Sequence, residues 1–288
     1  MAHTRLVALI RLFRIDLSIS AGVCVVLGEL LAHETVPPLS TLLLGFFAYF
    51  FISATALILN DYFDYETDRI NAPERPLPSG VVSKGEVLAL STTVALLGLA
   101  LSMFLNLQAF IVAAVVWSLG FLYNWRLKRF GIWGNLLVSL SVASAFVFGG
   151  VAVNNPRADL VWWFALLVFL FNLGEEIAAD AFDIQGDLRA GSRSLAILYG
   201  QRIALRCSAG LYLAVILVSV IPFVLGWLRW LYFFPIAIMD CVILYSTAHL
   251  LYHESEKGRM YIRVMYLTGL ASLVGFILIR TVVQLGSS

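Results

Sequence analysis

The chain has 288 residues, 61% of them hydrophobic and 13% charged, with a formal net charge of +1. A soluble domain carries about 45–50% apolar and about 25% charged residues. This composition, with a mean hydropathy of +0.91, therefore excludes an ordinary water-soluble globule and indicates an all-α polytopic membrane protein, while the near-neutral balance excludes a strongly basic nucleic-acid-binding surface.

The segment Met1–Asp16 carries Arg5, Arg11 and Arg14 but no short apolar region with a small-residue cleavage site. It reads as a retained amphipathic lead-in. A spanning helix needs about 20 mostly apolar residues. Nine runs qualify: Ile15–Ala32, Leu39–Leu59, Val87–Leu105, Gln108–Tyr123, Trp133–Val153, Leu160–Ala178, Ile203–Phe223, Arg229–Leu250 and Ile262–Leu285. Pro37-Pro38, Asn106-Leu107-Gln108, Asn154-Asn155-Pro156 and the stretch from Pro222 to Gly226 mark turns between them. Cys24, Cys207 and Cys241 lie in apolar runs without paired spacing and are expected to be buried small hydrophobes.

With nine spans the charges segregate. Of the 19 Lys and Arg residues, all but Arg157, Arg229 and Arg280 fall on the side of the N-terminus. Sixteen against three is a strong positive-inside bias, so the expected N-terminus is cytoplasmic, in a multi-pass protein of the cell membrane.

Two acidic runs land on that cytoplasmic side. Asn60-Asp61-Tyr62-Phe63-Asp64-Tyr65-Glu66-Thr67-Asp68 follows the second span. Asp180-Ala181-Phe182-Asp183-Ile184-Gln185-Gly186-Asp187 follows the sixth. In each, three aspartates sit at i, i+3 and i+7, within roughly 60° of one another on a helix. The offset is constant, since 180 − 61, 183 − 64 and 187 − 68 all equal 119. That repeat predicts one membrane domain over 1–288 made of parallel halves, about 1–130 and 131–288. Three carboxylates on one face repel unless a cation lies among them, and ionisable groups at the end of a membrane segment are costly and usually functional. We read Asp61, Asp64, Asp68, Asp180, Asp183 and Asp187 as facing halves of one Mg²⁺–diphosphate site. Magnesium prefers oxygen ligands and is typically held by one or two carboxylates plus substrate phosphates. Calcium would want the graded spacing and glycine of an EF-hand, and zinc would want His or Cys nearby.

Further residues surround these runs. Asn60 offers a neutral amide at the first, whereas its counterpart 119 residues on is Ala179. Glu176 lies one turn before Asp180 on the same face, as a ligand or as the holder of a basic side chain, and Glu175 is expected to be peripheral. Arg69 follows the first run, and Arg189 and Arg193 follow the second. Tyr123 and Lys128 end the fourth span on the same side. Arg binds phosphate oxygens bidentately and Lys acts as a point charge. The bland reading of Arg14, Lys128, Arg189 and Arg193 is contact with lipid headgroups, and we prefer it for Arg202, Arg206, Lys257, Arg259 and Arg263. Arg75-Pro76-Leu77-Pro78-Ser79-Gly80 is a stiff turned loop, either a lid over the first run or a connector.

Taken together, Asn-Asp-x-x-Asp-x-x-x-Asp, Arg-Pro-Leu-Pro-Ser-Gly, the Tyr…Lys element and Asp-x-x-Asp-x-x-Gly-Asp resemble the UbiA-type intramembrane prenyltransferases. The resemblance runs from Arg11 to Gly200. It implies nine transmembrane helices around a central apolar cavity, Mg²⁺, a polyprenyl diphosphate donor drawn from the lipid bilayer, and transfer to a hydrophobic or aromatic acceptor. It implies no nucleic acid and no obligate protein partner. It gives catalytic roles to the six aspartates, Tyr123 and Lys128, and substrate contacts to Asn60 and Arg14. To these the spacing adds Arg69, Glu176, Arg189 and Arg193. Within the family, the motifs look most like archaeal digeranylgeranylglyceryl phosphate synthases, which attach a second geranylgeranyl group to geranylgeranylglyceryl phosphate. Glu175 and Ala179 stand where that group tends to carry a basic residue, and Gln185 where it tends to carry Glu. Arg11-Leu12-Phe13-Arg14-Ile15-Asp16 is reminiscent of 4-hydroxybenzoate polyprenyltransferases. A cation-coupled transporter using the same carboxylates is the reading from another class.

Overall fold

In the computed structural model the described residues are 2–189, 191–252 and 258–286, apart from the side chains of residues 2–4, 71 and 189. In lipid each backbone N–H and C=O must be satisfied within the protein, which leaves helices or a closed barrel. The described residues are helical and contain no strand. In order they form α1 (Ala2–Leu12), α2 (Ile15–Ala32), α3 (Leu39–Phe63), α4 (Tyr65–Asn71), α5 (Lys84–Leu105), α6 (Leu107–Trp125), α7 (Ile132–Ala152) and α8 (Asp159–Ala181). Then come α9 (Ile184–Arg189), α10 (Leu195–Tyr199), α11 (Gln201–Ser219), α12 (Ile221–Val224), α13 (Phe233–Tyr252) and α14 (Gly258–Leu285).

Among the described residues nine segments are long and apolar enough to cross a membrane, α11 and α12 together forming the seventh. The expected cores coincide with these segments, but several helices run further at one end. α3 reaches Phe63 rather than Leu59, and α8 reaches Ala181 rather than Ala178. Hydropathy falls where the acidic runs begin, whereas backbone hydrogen bonding continues through them.

Local chemistry sets the boundaries. Ser83 and Glu86 form a capping box at the start of α5, satisfying donors that the first turn leaves free. Asn106 accepts from the Ala109 amide at 2.7 Å and donates to the Val151 carbonyl at 2.9 Å, so it starts α6 and ties it to α7. α2 packs on α3 and α7, α3 on α5, α7 on α8, and α8 on α11. The α2–α7 contact requires glycine: a Cβ at Gly28 would meet the Phe146 carbonyl, and one at Gly149 the Val25 carbonyl. Small residues let membrane helices approach closely where lipid supplies no hydrophobic drive.

α1 turns its Ala8 and Leu12 into a cluster with Ala54, Ile58 and Leu77, and Arg5 pairs with Glu86. Cys24 is buried as expected, but Cys207 and Cys241 are exposed. The outside of a spanning bundle faces hydrocarbon, so an apolar thiol is at no disadvantage there. Lys257 lies outside the described residues.

The offset of 119 extends to whole elements. Adding it to α2, α3, α4 and α5 gives 134–151, 158–182, 184–190 and 203–224. The chain there forms α7 (Ile132–Ala152), α8 (Asp159–Ala181), α9 (Ile184–Arg189) and α11 with α12 (Gln201–Val224).

Candidate active site

Each acidic run straddles a junction between helices and does not ride on one continuous helix as the spacing predicts. α3 ends at Phe63, and Asp64 bridges to α4 while its amide still donates to the Asn60 carbonyl at 2.9 Å. Asp61 is therefore on the last turn of α3 and Asp68 on α4. In the second run Asp180 is on the last turn of α8, Asp183 is at the junction, and Asp187 is on α9. α4 and α9 touch, which brings the two runs to one end of the bundle.

The first run is held by cations. Arg14 sits between α1 and α2 in the left-handed region, at φ 41°. A non-glycine residue there is strained, and such strain collects at functional sites. Its guanidinium donates to Asp61 Oδ1 at 2.7 Å and to Asn60 Oδ1 at 3.1 Å. Asn60 Nδ2 donates to Asn124 Oδ1 at 3.2 Å, and Asn124 Nδ2 donates to the Ala56 and Gly120 carbonyls. α3 and α6 thus fix the amide that meets Arg14. Arg75 donates to Asp68 Oδ2 at 2.7 Å and lies 3.8 Å from Asp61. Leu77 is buried, so the Arg75–Gly80 loop is pinned to the bundle. Lys128, on the short turn after α6, pairs with Asp64.

Burial, then the charges of Arg129 and Arg14, push the Lys128 ammonium down to about 8, although Asp64 touches it. Burial also raises the Asp68 carboxyl, against the opposing pull of Arg75.

Among the described residues the second run has fewer cations. Asn135 Nδ2 donates to Asp180 Oδ2 at 2.8 Å. Arg259 donates to Asp183 Oδ1 at 3.3 Å and to the Phe182 carbonyl at 3.1 Å. Asp187 Oδ2 is buried without a hydrogen-bond partner. Burial, then Asp180 and Asp183, push the Asp187 carboxyl up to about 7. Among the described residues no cation is in ion-pair contact with that group, and an all-oxygen set of carboxylates suits a hard divalent cation. Among the described residues no three acidic, His or Cys side chains are gathered closely enough to hold a metal unaided.

Behind the aspartates lies a cavity of about 590 Å³. Arg14, Asn60, Tyr123, Asn124, Glu175 and Glu176 line its polar end. Trp163, Phe164 and Phe276 line its far end.

The structure therefore gathers Arg14, Asn60, Asp61, Asp64, Asp68 and Lys128, with Tyr123 beside them. Asp180, Asp183, Asp187 and Glu176 stand on the α8–α9 side. Arg69 is not brought in: it is exposed, pairs with Glu66 and lies over the Tyr65 ring. Arg193 is exposed, and its amide donates to the Arg129 carbonyl at 3.2 Å. The side chain of Arg189 lies outside the described residues. Glu175 lines the cavity, in contrast to the expected peripheral place. Sequence reasoning missed Arg75, Asn124, Asn135 and Arg259 as partners of the site. For Arg75 the signal was present, because a stiff proline loop seven residues past Asp68 holds its position.

Comparison with known proteins gives a consistent picture. A family model described as the UbiA prenyltransferase family matches residues 21–278. Digeranylgeranylglyceryl phosphate synthase of Pyrococcus furiosus is 34% identical over 248 residues, covering 85% of this chain and 88% of that protein. A solved structure of a digeranylgeranylglyceryl phosphate synthase superposes with a TM-score of 0.76 at 32% identity, covering 96% of this chain and 99% of the other. A UbiA homologue from Archaeoglobus fulgidus bound to GPP and Mg²⁺ shares the fold, with a TM-score of 0.68 at 17% identity over 95% of this chain and 99% of its own.

Proposed function

Because this chain belongs to the UbiA prenyltransferase family and is a membrane prenyltransferase, we propose that it transfers a geranylgeranyl group from its diphosphate to geranylgeranylglyceryl phosphate. The observation that carries this reading is the position of Arg14, Lys128 and two aspartate runs at the polar end of an apolar cavity. Relatives at about a third identity are named digeranylgeranylglyceryl phosphate synthases, and this supports the choice of acceptor.

The six aspartates, with oxygens of the diphosphate, are the groups that hold Mg²⁺, whose charge makes the diphosphate a better leaving group. Arg14 and Lys128 bind diphosphate oxygens, exchanging part of their contact with Asp61 and Asp64 for the substrate. Preorganised cations of this kind act where charge develops as the bond breaks. The allylic C1–O bond ionises, and the electron pair leaves with the diphosphate. The Tyr123 ring offers a π face to the carbocation. The apolar cavity keeps water from quenching it. The acceptor hydroxyl oxygen then bonds to C1 and loses its proton.

Both acidic runs lie at the cytoplasmic surface in this reading, with the N-terminus inside, on the strength of the sixteen-to-three charge distribution. The matched element boundaries support an origin as two parallel halves. One observation favours a second acceptor: among the described residues lining the cavity, Arg14 is the single Lys or Arg. One cation matches the carboxylate of 4-hydroxybenzoate. Product analysis decides between them, using geranylgeranyl diphosphate, Mg²⁺ and each acceptor in turn. Ether-lipid product with the glycerophosphate acceptor is expected. Prenylated hydroxybenzoate as the sole product overturns the leading assignment.

A further inference from the structure

We propose that Asp240 limits the length of prenyl chain the cavity accepts, with the limit near four isoprene units. The proposal rests on the prenyl-transfer reading above and concerns the end of the cavity away from the diphosphate chemistry. Asp240 on α13 and Ser219 on α11 both line the cavity, and the Ser219 hydroxyl donates to Asp240 Oδ2 at 2.8 Å. A carboxyl inside a spanning segment is costly and by default functional. The diphosphate chemistry at the other end makes no use of it.

Helix α8 lines the cavity at both ends and measures the distance between them. Glu176 stands at the polar end and Trp163 at the far end. The Trp163 indole N–H donates to the Val218 carbonyl at 3.0 Å, one residue before Ser219, so Trp163 and the Asp240–Ser219 pair share a level. From residue 163 to residue 176 is 13 residues of helix, roughly 20 Å at 1.5 Å per residue. An extended isoprene unit adds four carbon–carbon bonds, about 5 Å of reach given their length. Four units therefore span the cavity and bring the terminal methyls to Asp240.

Aromatic rings close the space beyond. Phe164 meets Phe276 edge to face at 5.0 Å, and Phe276 stacks on Tyr232 at 4.9 Å. A fifth unit must press an apolar terminus against the carboxyl and its hydrogen bond, push these rings apart, or turn aside out of the cavity. The carboxyl is thus a polar stop in an apolar channel.

The test compares kcat/KM for donor diphosphates of two to six isoprene units, with the full chain in lipid vesicles, Mg²⁺ and geranylgeranylglyceryl phosphate. The native chain should lose about tenfold or more between four and five units, the scale on which apolar pockets discriminate size. Asp240→Val removes the polarity while leaving the position filled, and should cut that loss to about threefold. Asp240→Ala is a second variant with the same expectation. The readout is a ratio between donors, so a reduced fraction of folded enzyme does not alter it. The absence of a step in the native profile overturns the proposal without reference to any variant. So does an unchanged step in either variant. If no donor supports transfer to any acceptor, the prenyl-transfer reading fails and the proposal falls with it.

Discussion

Arg14 holds the first aspartate run to the start of the membrane bundle, and its removal gives a quantitative test of that contact. The side chain of Asp61 is 6% exposed, and its cations are Arg14 at 2.7 Å and Arg75 at 3.8 Å. Removing one partner from a buried ion pair costs about 3–5 kcal/mol, because the remaining charge stays desolvated. The Arg14 side chain is 30% exposed and Arg75 remains nearby, so solvent screening lowers the expected cost of Arg14→Met to about 2 kcal/mol. Asp61→Asn in the same chain removes the stranded charge, and the double variant should recover about 1 kcal/mol of that loss. Arg14→Gly deletes the same guanidinium but suits the positive φ. An L side chain in that conformation costs about 1–2 kcal/mol, and the greater freedom of glycine in the unfolded chain offsets part of the relief. Arg14→Gly should therefore be more stable than Arg14→Met by about 0.5–1 kcal/mol. Reversible unfolding in mixed micelles, followed by tryptophan fluorescence, measures these four proteins and Asp61→Asn alone, which completes the cycle. An Arg14→Met variant as stable as the native chain, with no coupling to Asp61, would refute the reasoning.

Other expectations are more local. Lys128→Met removes a charge placed for the leaving diphosphate, and single-turnover assays should show about a hundredfold slower transfer; a change below about threefold would remove Lys128 from the site. Ser83→Ala deletes the cap of α5 and should lower stability by about 1 kcal/mol in the same micelle titration while leaving turnover intact. Asn135→Leu leaves Asp180 without its amide donor. Titration of donor binding against Mg²⁺ should shift to higher concentration by about tenfold, a loss on the scale of one hydrogen bond to a charged group; an unshifted titration would show that Asn135 does not orient Asp180.

The spans and the two acidic runs were legible because they depend on short-range rules. Lipid forces each backbone group into a helix, so apolar length alone finds the nine segments. The aspartates were legible because their cost in a membrane needs a reason and the offset of 119 repeats it. Hydropathy could not show that α3 continues to Phe63, since Asn60 and Asp61 are polar in side chain and still helical in backbone. Nor could chain order assign cations to carboxylates. Arg69 is adjacent to Asp68 yet points to Glu66, whereas Arg75 reaches Asp68 because its loop folds back under Leu77. Asn135 and Arg259 come from α7 and α14, 45 and 76 residues from their partners. Such contacts exist only once the helices have packed. Glu175 looked peripheral beside Glu176, and the packing of α8 puts both on the cavity wall.

The central claim is that the two runs form one diphosphate site, and the most direct measurement is prenyl transfer by Asp64→Ala, Asp183→Ala and the double variant. If both carboxylates act on one Mg²⁺–diphosphate unit, each single change should slow transfer by about a hundredfold or more, and the double should be scarcely slower than either, as for residues that act together. Mg²⁺-dependent transfer that persists in the double variant at the native rate would contradict the account.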